Sequence, residues 1–301
     1  MNNRFDKLNK KCVNKTSMNK KDSQYDINKL EESKFINTLE DCYESIDNSN
    51  LIISHFIITR YLIDITDDVG NQKIYSQEYI FNGIRVMKKY LLSSLENQKC
   101  QKFIWILMIG NNFSTTYFKS LLNFNNSFEY DIVNQNNMKN YIRNKTKNSD
   151  ILITSRIDYD DRIYYDAIND LRKAINMEKP IIIHGYNKGL YFFEKDNKYY
   201  DYYRKVSVSS VLASLILNLK KVNDTYTIYD MGPHTAITKN VLKKYKSYGI
   251  KSLDYVPFDF DSGASKFIKV IQKFSATQNF IKKDIRGLKP KDVNLNIFYK
   301  K

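Results

Sequence analysis

The sequence predicts an α/β fold: a mostly parallel, Rossmann-type sheet with helices on both faces, followed by a half of mixed α+β character. Two observations carry that expectation. Between residues 51 and 178, short apolar β-branched runs alternate with segments of helical periodicity, and after Pro180 the pattern changes to closely spaced strands. Strands that alternate with helices imply right-handed crossovers and parallel pairing.

The elements follow in order. Residues 1–24 are polar and basic and are expected as a flexible tail, and "DINKLEESKFINTLEDCYESI" has helical spacing with Asp26 as a cap. "LIISHFIIT" is the first buried strand, and "QEYIFNGIRVMKKYLLSSLEN" is helical. "KFIWILMIG" is the second strand, "STTYFKSLLNF" a helix opened by a Ser/Thr cap, "FEYDIV" the third strand and "NMKNYIRNKTKN" a helix. "DILITS" is the fourth strand, with a helix "IYYDAINDLRKAI" after it. Beyond Pro180, "PIIIHGYNKGLYFFEKDNKYYDYYRKV" reads as strands joined by turns, and "SSVLASLILNLKK" fits strand or helix. "TYTIYD" reads as a strand, "GPHTAITKNVLKKYKSY" as a helix, and "KFIKVIQKFSATQNFIKK" as a C-terminal helix. The expected organisation is a basic tail with a short helix (1–50), a catalytic-size domain (51–265) and a basic extension (266–301).

At 301 residues and 42% apolar content the chain can bury a sizeable core. Its formal charge of +15 is uneven: residues 1–22 hold seven Lys/Arg against two Asp, and residues 266–301 hold ten against two. The body between them is close to neutral, which argues against a folded nucleic-acid-binding face. Three widely spaced cysteines and no CxxC give no disulfide framework or zinc site. The N-terminus lacks the apolar core of a signal peptide and no run is long enough to span a membrane, so a cytoplasmic location is expected.

The distinctive stretch is "DILITSRIDYDDRIYYDAI" (150–168), with Asp158, Asp160 and Asp161 directly after a buried strand. In an open parallel sheet, ligands bind at the carboxyl ends of the strands. Carboxylates crowded there repel unless a cation joins them, and they converge only if the backbone curls. A hard divalent ion, Mg²⁺ or Mn²⁺, held by one or two carboxylates and completed by phosphate oxygens, fits such a pair. The bland alternative is a solvated turn, with Asp160 or Asp161 capping the next helix. An EF-hand is excluded, because its Gly and distal Glu positions do not match.

"TSRIDYDD" resembles the signature of the rhamnosyltransferase family, enzymes of GT-A-type glycosyltransferase fold. "HFIITRY" is similar to that family's first strand, and "YLLSSLENQKCQKFIWILMIG" to its next helix and strand, so the resemblance spans about residues 51–260. The chain carries Tyr159 where the family often has Asn and Tyr61 where Phe is usual. The resemblance implies transfer of a sugar, rhamnose by the family's label, from a nucleotide-diphosphate donor, with the second half on the acceptor side. It implies Asp160 as a metal ligand, Asp158 facing metal or ribose, and Asp161 behind the metal or facing the sugar. His234, in "DMGPHTAI", is either a third metal ligand or an ordinary helix-terminus histidine. Arg60 and Arg156 stand where a guanidinium reaches base or phosphate, or makes a structural ion pair. An inverting enzyme needs a general base. Asp230 is the first choice, with Glu194, Asp259 and Asp261 behind it. His184 and His55 read as core residues, and the aromatic run "YFFEKDNKYYDYYRK" as either a sugar-stacking surface or a hairpin with cross-strand pairs.

The expected partners are a nucleotide-sugar donor and a glycan, lipid-linked or protein acceptor, with an anionic membrane surface at the basic ends. Stable nucleic-acid binding is not expected. The competing reading is a basic nucleic-acid-binding protein without catalysis.

Overall fold

The computed structural model describes residues 50–63, 75–122, 127–186, 188–203, 211–232, 236–248, 254–257, 267–271, 289–290 and 292. The chain divides into two units, Met1–Ser49 and Asn50–Lys301, and the described residues lie in the second. The tail and short helix expected before residue 50 lie outside them.

Eleven strands form two sheets among the described residues. β1 (Ile53–Tyr61), β2 (Ile104–Ile109), β3 (Glu129–Asn134), β4 (Ile151–Arg156), β6 (Ile181–Gly185), β9 (Ala213–Asn218) and β10 (Asp254–Pro257) make a seven-stranded sheet in the order β10-β6-β9-β4-β1-β2-β3. Every neighbouring pair in it is parallel except those made by β9, which runs antiparallel to both β4 and β6. The second sheet has the order β5-β11-β7-β8, from β5 (Arg162–Ile163), β7 (Lys188–Phe193), β8 (Lys198–Tyr203) and β11 (Phe267–Ile271).

The helices are α1 (Gln77–Met87), continued by a π-helical stretch at Lys88–Leu92 into α2 (Ser93–Glu96), then α3 (Thr115–Leu122), α4 (Met138–Lys145), α5 (Ala167–Lys173) and α6 (Ile237–Lys244). Ser76 caps α1 by accepting from the Tyr79 amide at 3.2 Å, which fixes where the helix starts. No helix among the described residues is long and apolar enough to cross a membrane.

The central strands are apolar on both faces, as a covered parallel sheet requires. Phe56, Ile58, Ile106, Met108, Leu152 and Leu215 pack on one face. Ile57, Trp105, Leu107 and Ile109 pack on the other, against Ile84, Met87 and Leu91 of the first helical run. Trp105 Nε1 donates to Thr59 Oγ1 at 3.0 Å, which satisfies a hydroxyl with no access to water.

The α/β expectation holds. β6, β9 and β10 complete the sheet that β1–β4 begin. "SSVLASLILNLKK" contains a strand, β9, buried along its whole length between β4 and β6. The helix expected from about Ile163 starts only at Ala167, because Arg162 and Ile163 pair with β11. The expected C-terminal helix begins instead as β11, whose Ile268 is buried and which is inserted between β5 and β7. Tertiary pairing overrides helical periodicity in both places.

Candidate functional site

The carboxyl ends of β1 and β4 lie side by side. Ile58 of β1 is in register with Arg156 of β4. Side chains alternate with period two, so Arg60, two residues past Ile58, lies on the same face as Arg156. Two guanidiniums thus leave neighbouring strand ends in the same direction.

The face they share is covered by a 3₁₀ turn, Ile228–Met231, where the sequence had suggested a strand. Thr227 and Asp230 explain the difference. Asp230 Oδ2 accepts from the Thr227 amide at 2.7 Å and from its hydroxyl at 3.0 Å, a capping box that closes the turn. The Ile228 amide donates to Thr154 Oγ1 of β4 at 2.8 Å. Ile228 and Met231 are fully buried, worth about 1.5–3 kcal/mol each. The turn is thereby fixed against the sheet, and it presents Tyr229 to both arginines. Arg60 Cζ lies 4.6 Å and Arg156 Cζ 5.0 Å from the centre of the Tyr229 ring. The Tyr229 hydroxyl donates to the carbonyl of Ile58 at 3.2 Å. Burial pushes its pKa up to about 12, the charge of Asp158 adds to that, and the two arginines oppose it. Tyr229, Arg60, Arg156 and Asp158 therefore sense one another at one place.

Directly after β4 the backbone curls, as converging carboxylates require. The Asp161 amide donates to the Asp158 carbonyl at 3.2 Å, closing a turn over Asp158–Asp161. Asp158 and Asp160 are half-buried at this turn, whereas Asp161 is fully buried and faces no solvent. Of the two places expected for Asp161, the one behind the site suits that burial. Among the described residues no group of three or more His, Cys, Asp or Glu side chains is placed to hold a metal by itself. Two carboxylates on a tight turn suit an ion that is shared with phosphate oxygens, rather than one caged by protein alone.

On the opposite face of the strand ends the chemistry is aromatic. The Tyr61 ring meets Tyr159 at 5.2 Å and Phe118 at 6.1 Å between centroids, both edge-on. Its hydroxyl donates to the Ile80 carbonyl of α1 at 2.8 Å. That approach depends on Gly83, where an added Cβ would meet the Tyr61 hydroxyl oxygen at 1.9 Å. Burial raises the pKa of both Tyr61 and Tyr159, so both stay as phenols.

The remaining candidates are spread out. Asp230's carboxylate is engaged as the cap described above, and its charge is felt at Asp224 and Tyr245. The structure does not bring it to the acidic turn. Glu194, at the end of β7, accepts from Lys89 Nζ at 2.9 Å and from the Tyr90 hydroxyl at 2.8 Å. Those bonds outweigh its burial and hold its carboxyl below the usual range, so it ties the β7–β8 hairpin to the π-helical stretch. His55 and His184 are core residues. His55 Nε2 lies 3.1 Å from Ser155 Oγ, and burial lowers both imidazoles to about 3. The aromatic run forms the β7–β8 hairpin, with Phe192 stacked on Tyr199 at 4.6 Å. His234, Asp259 and Asp261 lie outside the described residues. Sequence reasoning passed over Tyr229. Its signal was present in Thr227-x-x-Asp230, a capping pattern that marks a turn rather than a strand.

An α/β sheet with an acidic turn and paired guanidiniums at its strand ends has the charge arrangement that suits phosphate-linked ligands. The family described as "Putative rhamnosyl transferase" matches residues 68–244, more than half of the chain. The chain belongs to that family and is a glycosyltransferase. No relative among curated proteins matches it. Similar solved structures include HddC from Yersinia pseudotuberculosis, 15% identical over 73% of this chain and 90% of that one, TM-score 0.30. S. aureus TarS 1-349 is 12% identical over 72% and 60%, TM-score 0.37. A putative nucleotide-diphospho-sugar transferase from Desulfovibrio desulfuricans G20 is 11% identical over 67% and 79%, TM-score 0.33.

Proposed function

We propose that this chain transfers a sugar, rhamnose by the family's label, from a nucleotide-diphosphate donor in a reaction that depends on Mg²⁺ or Mn²⁺. The observation that carries the reading is the Asp158–Asp161 turn beside Arg60 and Arg156 at the ends of β1 and β4. Family membership supports the reaction class.

A glycosyl transition state has oxocarbenium character and a departing diphosphate. A bound divalent ion supplies charge to that leaving group and a fixed geometry for it. Asp158 and Asp160 are the residues that would hold the ion, and His234 is the candidate third ligand. Arg60 and Arg156 add positive charge in a partly desolvated place, where electrostatic stabilisation is strongest. Asp161 supports the turn from within. The acceptor is a glycan, a lipid-linked carrier or a protein, and the basic ends suit an anionic membrane surface where a lipid-linked acceptor would lie.

The test is a thermal-shift panel of nucleoside diphosphates and nucleotide sugars, with and without Mn²⁺. Stabilisation by one base identity, larger with metal, is expected and names the donor nucleotide. A flat panel would remove the reading.

A further inference from the structure

We propose that Tyr229 is a positioning residue whose ring holds Arg60 and Arg156 together as a metal-independent binding site for a diphosphate group. The proposal rests on the donor reading above only for the source of that diphosphate.

Three features of the two arginines support it. Strand register sets them on one face at adjacent strand ends, where like charges repel. Arg156 is only 5% exposed, and its Nε has no hydrogen-bond partner among the described residues. A guanidinium taken so far out of water is ordinarily met by an anion, because desolvation is costly when uncompensated. What the described residues place against both guanidiniums is one aromatic ring, within 5.0 Å of both guanidinium carbons, with the Asp158 charge nearby. A cation–π contact is weaker than a charge-assisted hydrogen bond, so it orients the pair without completing it.

The ring is held in place chiefly by the framework, with a hydrogen bond between its hydroxyl and Arg60 in addition. Its hydroxyl is bonded to the Ile58 carbonyl, its turn is bonded to Thr154, and the two end residues of the turn, Ile228 and Met231, are in the core. Tyr229 therefore acts as a fixed post against which two flexible side chains settle. A phosphate anion supplies the missing charge, and two joined phosphates match two guanidiniums better than one does. Asp158, whose charge reaches Tyr229, stands at the edge of the same place. It is where an ion shared with the diphosphate would be held.

The experiment is calorimetric titration of the full-length chain with inorganic pyrophosphate in EDTA, with orthophosphate as a second arm. The wild type should bind pyrophosphate, at least about tenfold more tightly than orthophosphate. Arg156→Met and Tyr229→Leu should each weaken pyrophosphate binding about tenfold or more. Tyr229→Phe keeps the ring but loses the hydroxyl that bonds the Ile58 carbonyl and Arg60, and should bind clearly more tightly than Tyr229→Leu though more weakly than wild type. That rescue is one which loss of folding would not give. Asp158→Asn removes a nearby negative charge and should bind pyrophosphate at least as tightly as wild type. No pyrophosphate binding in EDTA, wild-type affinity in Tyr229→Leu at unchanged melting temperature, or weaker binding in Asp158→Asn would each overturn the proposal. Nucleotide-sugar stabilisation with Mn²⁺ is read separately. Its absence removes the donor reading and leaves the pyrophosphate result standing, and the converse also holds.

Discussion

On one side of the β1 and β4 strand ends, Tyr61 and Tyr159 pack edge-on and lock onto α1 through a notch at Gly83. On the other side, Arg60 and Arg156 lean on a single ring, with Asp158 close by. The first face gains stability from apolar contact and close approach. The second gathers charge, and Arg156 Nε there has no hydrogen-bond partner among the described residues. The same backbone serves both, because a strand sends alternate residues to opposite faces. A residue that serves stability and one proposed to meet a ligand can thus stand next to each other in sequence, as Tyr61 and Arg60 do.

That contrast can be broken in several ways. The largest effect is expected at the acidic turn. Asp160→Asn should lower donor turnover at least about a hundredfold, while the melting temperature holds or rises because carboxylate repulsion is relieved. Near wild-type turnover would show that Asp160 does not hold the ion.

Next comes pH, which probes the interior of the same two strands and β6. His55 and His184 are held at about 3 by burial, with the Arg172 charge adding to the effect at His55, while the unfolded chain protonates them near 6.5. Both are neutral in either state above that pH, so nothing is lost there. As pH falls from about 6.5 toward 3, only the unfolded chain takes up these protons, and stability drops. The loss at pH 5 should be about 2 kcal/mol per histidine. Chemical denaturation at pH 7.5 and pH 5 measures it, and equal stability would place the rings in water.

Gly83→Ala should cost about 1–2 kcal/mol. Alanine gains about 1 kcal/mol of helix propensity, but the new methyl group forces Tyr61 out of its notch. Thermal melts decide it, and a rise in melting temperature would mean that the tyrosine yields freely.

Arg156→Met should move the other way, raising stability by about 1 kcal/mol while donor affinity falls. If stability falls as well, the guanidinium is part of the framework and the contrast between the two faces dissolves.

Most of the sheet was legible because strands β1 to β4 are runs such as "IWILMI", buried on both faces and bounded by polar loops. The acidic turn was legible because three aspartates stand where a parallel sheet binds its ligands. Two things were hidden. β5 has two residues and no period of its own, and it exists only because β11 arrives beside it. The Tyr229 contact depends on how a turn docks across β4, through the Ile228 amide and Thr154, which are 74 positions apart. Long-range pairing of that kind leaves no local periodicity. Local hydrogen-bonding patterns do leave a trace, and the capping box at Thr227 and Asp230 was one that could have been read.

The pairing of β5 with β11 also sets an order of events. The acidic turn is held by β4 on one side and by β5 directly after it on the other, and β5 reaches its sheet only through Phe267 and Ile268. About a hundred residues of chain separate Asp161 from that partner. At a synthesis rate of about 5–20 residues per second, the support arrives about 5–20 s after the aspartates have left the ribosome. All seven strands of the large sheet are complete by Pro257, before β11 has been made. A nascent chain can therefore own its large sheet while β5 still lacks its strand partner and is held by earlier elements alone, through Arg162 Nη2 to the Lys89 carbonyl and the burial of Ile163. The strand pairing that backs the acidic turn is then among the last contacts the chain acquires.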